Sequence, residues 1–297
     1  MPQIVLGSYL ELLKSRVMVV FIYAFPALIN LLIASRLIPN IYHILLITSC
    51  VTLTSYAVYW YNDYSDAEFD RIKEGETETD RSKRPYTSGR ISKNQFLAFI
   101  LLTALAGLLV AYYINIYVFA VQLVYLFLGV IYSSDPIRLK KRIIGKQFVV
   151  MAGAILSCLS GAMVVGTVLP ANVYSMIINA IIYATAPTLG DIRDIVGDRK
   201  IGARTLPVIY GPKFAVRFAI GGFVAVILAG LVGYYGVGFN VALPVLTTIS
   251  MVAWIFTVYP IIRRWEDAVY VEKIVFKRII PSNLFIQIIP LIGLLVI

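Results

Sequence analysis

Two runs of aspartate, set in a chain dominated by apolar residues, carry the chemistry legible in this sequence. The first is Asn62-Asp63-Tyr64-Ser65-Asp66-Ala67-Glu68-Phe69-Asp70. Asn62, Asp66 and Asp70 recur at i, i+4 and i+8, so a continuing helix lines them on one stripe with Asp63 beside it. The second run holds Asp191, Asp194 and Asp198 at i, i+3 and i+7, again one helical face. Like charges at this spacing repel, so such a helix is destabilised until cations neutralise it. Oxygen donors without His or Cys suit Mg2+, which takes one or two carboxylates and completes its octahedron with water and phosphate oxygens. The pattern predicts an open magnesium site for a phosphate-bearing substrate, with Asn62, Asp63, Asp66, Asp70, Asp191, Asp194 and Asp198 as candidate ligands. Two such faces suit one diphosphate clamped from both sides through bridging ions. Asp66, Asp70, Asp194 and Asp198 are the candidate catalytic residues. The plainer reading of either run is a solvated, charged helix end. The three-point stripe and the second cluster weigh against it.

Basic residues follow both runs. Arg71, Lys83 and Arg84 come after the first, Arg199 and Lys200 after the second, and Arg138, Lys140, Lys141 and Arg142 form a third group. Many of these have a simpler role as topogenic charge or as contacts to anionic headgroups, above all Lys141, Arg142, Arg263 and Arg264. Arg84 stands next to a proline in a compact polar segment, a placement suited to holding phosphate oxygens. Arg16 lies at the first membrane boundary, within reach of the same layer. The candidate substrate-binding set is Arg16, Asn62, Arg71, Lys83, Arg84, Tyr132, Lys140, Arg199 and Lys200.

The elements that position these residues must cross a membrane. Of 297 residues, 60% are hydrophobic and 14% charged, well below the quarter or so that is charged in soluble domains. Segments of about 20 apolar residues recur nine times, near 17–35, 41–62, 95–113, 116–134, 147–168, 172–190, 214–235, 241–262 and 280–297. No long polar stretch exists for a separate soluble domain, so 1–297 is expected to be one transmembrane domain. The start of the chain lacks the basic n-region and cleavage site of a signal peptide, so 17–35 is expected to be a retained span. Assigning alternate connections to alternate sides puts all of the 26 Lys and Arg except Arg36 on one side. The positive-inside rule then places the N-terminus and both acidic runs in the cytoplasm and the C-terminus outside. All 16 acidic residues fall on that same side, which topology does not require. Cys50, Cys158 and His43 have no partners at ligand spacing and carry no site.

These residues resemble the UbiA superfamily of intramembrane prenyltransferases. Asn62 to Asp70 matches the family's NDxxDxxxD motif at each fixed position. Arg84 to Gly89 resembles its RPxxSG segment, Asp191 to Asp198 its second Asp-rich motif, and Thr205-Leu206-Pro207 the segment downstream. The likeness spans the whole chain. One departure is the family's YxxxK element: Tyr132 is followed by Ser133-Ser134-Asp135-Pro136, with the basic residues displaced to Arg138 and Lys140. This form is similar to the YSxxPxRLK version of chlorophyll-synthase-like and archaeal members. The resemblance implies an all-α polytopic protein with nine transmembrane helices around a central cavity, capped by cytoplasmic loops. It implies Mg2+-dependent transfer of an isoprenoid chain, geranyl or longer, from its diphosphate to an aromatic or lipid acceptor, geranylgeranylglyceryl phosphate among them. The implied partners are these substrates and the bilayer, with no nucleic acid and no obligate protein.

That chemistry agrees with the residues. A prenyl diphosphate has an apolar tail and an anionic head, and its place is a membrane cavity opening at the headgroup layer. Ionisation leaves an allylic cation that aromatic faces stabilise without capturing it, and Tyr59, Trp60, Tyr61 and Tyr132 are placed for this by sequence. A secondary transporter is the competing class, but transporter carboxylates lie near the midplane on interrupted helices. A CDP-alcohol phosphotransferase needs a DGxxAR start that neither cluster has.

Overall fold

A computed structural model of the chain describes residues 2–18, 20–72, 84–200 and 202–295, and the side chains of all of these except 2–6, 20–21 and 69–72. The described residues form helices and connections, with no strand among them. In chain order the helices are α1 Pro2–Ser15, α2 Phe25–Ala34, α3 Ile41–Ile72, α4 Lys93–Ile114, α5 Ile116–Ser133, α6 Ile143–Met163, α7 Pro170–Thr185, α8 Pro187–Arg193, α9 Ile195–Lys200, α10 Leu206–Tyr210, α11 Pro212–Val232, α12 Ala242–Val258, α13 Ile261–Arg264, α14 Ala268–Ile274 and α15 Ile280–Leu294. Eight helical stretches are long and apolar enough to cross a membrane, and a ninth, Ile22–Ala34, is apolar but shorter. The chain is a multi-pass membrane protein.

The spans differ from the sequence expectation at three places. The span expected over 17–35 is met only by Ile22–Ala34, because a separate helix ends at Ser15 and a π turn occupies Val20–Ala24. The second span does not stop at residue 62 but continues as α3 to Ile72, so the first acidic run is helical. The last span begins at Ala268 rather than near 280, through α14, a π turn at Val275–Ile279 and α15.

Packing runs around a closed circuit: α3 to α5, α5 to α6, α6 to α7, α7 to α11, α11 to α12, α12 to α15, α15 to α2 and α2 back to α3, with α2 also packed on α6. Large apolar side chains point outward, among them Leu101 and Leu109 on α4, Phe127 on α5 and Leu228 on α11. With hydrocarbon as solvent these cost nothing, and close backbone approach and polar pairing must hold the helices together. Both are present. Gly161 on α6 lies so near α2 that a Cβ there would fall 1.9 Å from the Ala27 carbonyl oxygen. Asn179 and Gln287 exchange reciprocal amide hydrogen bonds of 3.0 and 2.7 Å between α7 and α15. Thr54 donates to Gln122 at 2.6 Å and Gln122 to Ser160 at 2.7 Å, joining α3, α5 and α6. Asn172 on α7 donates to the Asn30 carbonyl of α2 at 2.8 Å.

Adding one methyl group at the α2–α6 contact forces two backbones apart. Gly161→Ala is expected to destabilise the folded protein by about 1–3 kcal/mol, read as a lowered thermal midpoint in detergent. Gly221→Ala, on open helix surface, is expected to leave that midpoint in place.

Candidate active site

The first acidic run lies on α3 between two groups of cations. On one side Asp63, 4% exposed, accepts from Arg16 through both carboxylate oxygens, the Nε bond to Oδ2 being 3.0 Å and the second running from Nη2 to Oδ1. Arg84 Nη1 reaches the same Oδ1 at 2.6 Å. On the other side Asp66 Oδ1 lies 2.7 Å from Lys140 Nζ and 3.1 Å from Arg138 Nη2. Lys140 also donates to Asn62 Oδ1 at 3.0 Å and Ser65 Oγ at 2.8 Å, and Ser133 donates to Asn62 Oδ1 at 3.1 Å.

Local structure explains how these cations arrive. Arg84 opens a tight turn in which Ser88 N–H bonds to the Arg84 carbonyl at 2.9 Å and Gly89 N–H to the Tyr86 carbonyl at 3.1 Å. Gly89 has φ +77°, a conformation open to glycine at no steric cost. Tyr86 stacks on Phe96 with centroids 4.7 Å apart, and Ser92 with Gln95 forms the capping box that starts α4. In the α5–α6 connection Arg138 adopts a left-handed backbone, φ 35°. It is held there by its N–H to the Ser134 carbonyl at 2.7 Å and by side-chain bonds to Asp135 at 3.0 Å and the Ser65 carbonyl at 3.0 Å.

The second acidic run begins where a proline interrupts a span. Pro187 has no N–H to donate, and Thr188 Oγ bonds to the Thr185 carbonyl at 2.7 Å at that break. The expected single helical face is divided, since α8 ends at Arg193 and α9 starts at Ile195. Asp194, with φ −96° and ψ 6°, is the joint. Its own N–H bonds to the Asp191 carbonyl at 3.1 Å and its carbonyl accepts from Asp198 N–H at 2.8 Å, so the three carboxylates stay within electrostatic reach of one another. Lys146, from the first turn of α6, pairs with Asp191 Oδ1. Arg193 grips Asp194 with bonds of 3.1 and 3.2 Å and lies over the Phe276 ring at 4.7 Å. Thr205 Oγ donates to Asp198 at 3.4 Å.

Tyr132 stands within electrostatic reach of an acid of each run, Asp66 of the first and Asp191 of the second, and of Lys146. Tyr59 lies near Asp63, Arg16 and Lys146, with the Arg16 guanidinium 5.4 Å from its ring centre. Tyr23 packs on Tyr59, Tyr125 and Tyr183 with centroid separations of 6.0, 5.7 and 6.1 Å. Two hydroxyls of this aromatic group are committed. Tyr183 donates to the Ile22 carbonyl at 2.7 Å, and Tyr125 and Ser55 pair at 3.1 Å.

Of the residues expected from sequence, Arg16, Asp63 and Arg84 form one network. Asn62 and Asp66 of the same helix form a second with Lys140, and Asp191, Asp194 and Asp198 lie within electrostatic reach of one another. Arg199 and Lys200 are exposed on α9. The side chains of Asp70 and Arg71 are not described, and Lys83 lies outside the described residues. Lys146 is absent from the residues expected from sequence, where it enters only the count of basic residues on one side. The usable signal was a lysine entering an apolar span, which is costly unless paired. Arg138, set aside there in favour of Lys140, holds Asp66 jointly with it.

Metal fit can be tested on the carboxylate oxygens. Among the described residues no three acids converge on one point, so there is no closed metal cage. Asp191 Oδ2 is buried without a hydrogen-bond partner, while its Oδ1 is taken by Lys146. Asp66 likewise has its cations on Oδ1. An orphaned, buried carboxylate oxygen is costly, and a hard cation completed by substrate oxygens would satisfy it.

Fold and site together define a class: a multi-pass helical membrane protein with two carboxylate clusters, each held by cations from neighbouring elements. The UbiA prenyltransferase family matches residues 23–276, and the chain belongs to that family of membrane prenyltransferases. It is 34% identical over 182 residues to the digeranylgeranylglyceryl phosphate synthase of Pyrococcus furiosus, covering 61% of this chain and 62% of that relative. It is 31% identical over 164 residues to the bacteriochlorophyll synthase 33 kDa chain of Rhodobacter capsulatus, covering 53% of this chain and 52% of that relative. The matched stretch thus spans less than two thirds of either relative's length. A solved UbiA homolog from Archaeoglobus fulgidus bound to DMAPP and Mg2+ shares the fold, with TM-score 0.73 and 19% identity over 97% of this chain and 100% of that one.

Breaking the Lys146–Asp191 pair leaves a carboxylate that is 5% exposed without its cation. Lys146→Met is expected to cost about 3 kcal/mol, read as a lower thermal midpoint without added metal. Adding Asp191→Leu to Lys146→Met is expected to recover most of the loss, because an apolar pair carries no desolvation penalty.

Proposed function

We propose that this protein transfers an isoprenoid chain from a prenyl diphosphate to a lipid acceptor, with geranylgeranylglyceryl phosphate as the acceptor. One observation carries the reading. Two carboxylate clusters, each paired with cations, both lie within electrostatic reach of Tyr132, and a group of packed tyrosine rings is nearby. The Pyrococcus furiosus relative supports the acceptor.

In this reading 1–297 works as one domain. Mg2+, when bound by Asp66, Asp70, Asp191 and Asp198, would supply charge stabilisation for the departing diphosphate. Arg16, Arg84, Lys140 and Lys146 hold the diphosphate oxygens by charge-assisted bonds, and Arg71, Lys83, Arg199 and Lys200 extend that positive field. Tyr132, lying between the clusters, orients the head group. The C1–O bond breaks toward these cations and leaves an allylic cation on the chain. The Tyr59, Tyr23, Tyr125 and Tyr183 rings offer it electron-rich faces. Hydroxyls already committed to Ile22 and Ser55 are poor nucleophiles, so the cation survives until the acceptor hydroxyl attacks and loses its proton. The apolar walls exclude water, which would otherwise capture it. The active-site face is cytoplasmic in this reading, since every Lys and Arg but Arg36 belongs to that side.

Purified protein given radiolabelled geranylgeranyl diphosphate, Mg2+ and a panel of acceptors is expected to label geranylgeranylglyceryl phosphate in preference to hydroxybenzoate or naphthoate. Asp66→Asn and Asp198→Asn are expected to lower diphosphate release at least about a hundredfold, the scale lost with a key electrostatic group. Labelling of an aromatic acceptor alone would overturn the acceptor assignment, and no diphosphate release with any acceptor would overturn the enzyme reading. A cysteine introduced at Arg36 is expected to react with an impermeant thiol reagent added outside intact cells, and one at Arg142 only after permeabilisation.

A further inference from the structure

We infer that Asp63 is a positioning residue, a buried anion that holds Arg16 and Arg84 at the diphosphate site, and not a ligand of the metal. The inference rests on the prenyl diphosphate reading above and refines the division of labour within the first acidic motif.

Asp63 and Asp66 sit less than one turn apart on α3, yet their surroundings differ in kind. Asp63 accepts from Arg16 on both oxygens and from Arg84 on Oδ1 at 2.6 Å. Its side chain is 5% exposed. Asp66 carries both its cations on Oδ1, at 2.7 and 3.1 Å, and its side chain is 24% exposed. A metal ion approaching Asp63 to the roughly 2.0–2.1 Å that Mg2+ requires would have to displace an arginine and lie beside two guanidinium charges. At Asp66 the hydrogen bonds and ion pairs engage Oδ1, so a metal could take Oδ2 without displacing them. The motif therefore divides. Asp66 faces the site with an oxygen to give, whereas Asp63 is spent on arginines.

Charge explains the use of such an arrangement. Two guanidiniums close together repel, and one carboxylate between them offsets the repulsion and keeps both at one place. The geometry is fixed from three directions. Arg16 follows α1 and packs over Tyr59, Arg84 stands at the head of the Pro85–Gly89 turn, and Asp63 lies well inside a 32-residue helix. A planar fork held in place loses little entropy on binding phosphate oxygens.

The test is binding, measured calorimetrically on full-length protein with a thiolo-diphosphate analogue of geranylgeranyl diphosphate that does not ionise, across a Mg2+ series. Asp63→Asn is expected to weaken binding about tenfold at saturating Mg2+, the loss of about one charge-assisted hydrogen bond, with the Mg2+ midpoint unchanged. Asp66→Asn is expected to move that midpoint at least tenfold. Arg84→Gln should reproduce the Asp63→Asn loss, and the double variant should be no worse than about twice the single ones, because both remove one arrangement. If Asp63→Asn shifts the Mg2+ midpoint as Asp66→Asn does, or binds the analogue like wild type, the inference is wrong. Should Asp63→Asn not fold, Arg84→Gln decides: a weaker affinity at an unchanged midpoint supports the inference, and wild-type affinity overturns it. Wild-type protein that never binds the analogue would instead overturn the prenyl diphosphate reading itself.

Discussion

Charge placed at the edge of hydrocarbon has to be paired, and this requirement organises the protein. A lone carboxylate in a low-dielectric layer is expensive, and a carboxylate with a cation from another element is a tie between those elements. Asp63 ties α3 to the residue after α1 and to the turn before α4. Asp66 ties α3 to the α5–α6 connection, and Asp191 ties α8 to α6. The site and the assembly of the helix ends are thus one set of interactions. In the proposed reaction, substrate binding would exchange these pairs for contacts to phosphate without letting the ends come apart.

Below this charged layer the structure changes character. Helices meet through small residues and amide pairs, as Gly161 against Ala27 and Asn179 with Gln287 show. Leucines and phenylalanines face outward. Between the two regimes stand Tyr23, Tyr59, Tyr125 and Tyr183. The Tyr183 and Tyr125 hydroxyls are bonded to the Ile22 carbonyl and to Ser55, and the four rings pack on one another. This gradient, from cations to aromatic faces to hydrocarbon, follows the polarity of a prenyl diphosphate from head to tail.

The parts of this arrangement that depend on local spacing were legible in the sequence. Hydropathy located the spans, and residue spacing on a helix located both acidic runs and the stripe of Asn62 and Asp66. Local patterns failed where geometry overrides them. The first span is cut short by a break after Ser15 that apolar composition does not signal. Asp194 interrupts the helix that its own spacing predicts. Lys146 looked like one more flanking charge, because its partner Asp191 is 45 residues away. The clustering of Tyr23, Tyr59, Tyr125 and Tyr183 draws on four separate helical segments, and no periodicity within one segment reports it. Asp63, set beside its neighbours by spacing alone, is distinguished from Asp66 only by the arginines that reach it in space.

The central claim is that both acidic runs serve one diphosphate. A structure determined with Mg2+ and a non-ionising diphosphate analogue tests it most directly. The diphosphate is predicted to lie between α3 and α8, with metal on Asp66 and on at least one of Asp191, Asp194 and Asp198, and with Lys146 contacting its oxygens. Metal and diphosphate bound at one run alone, or away from both, would contradict the account.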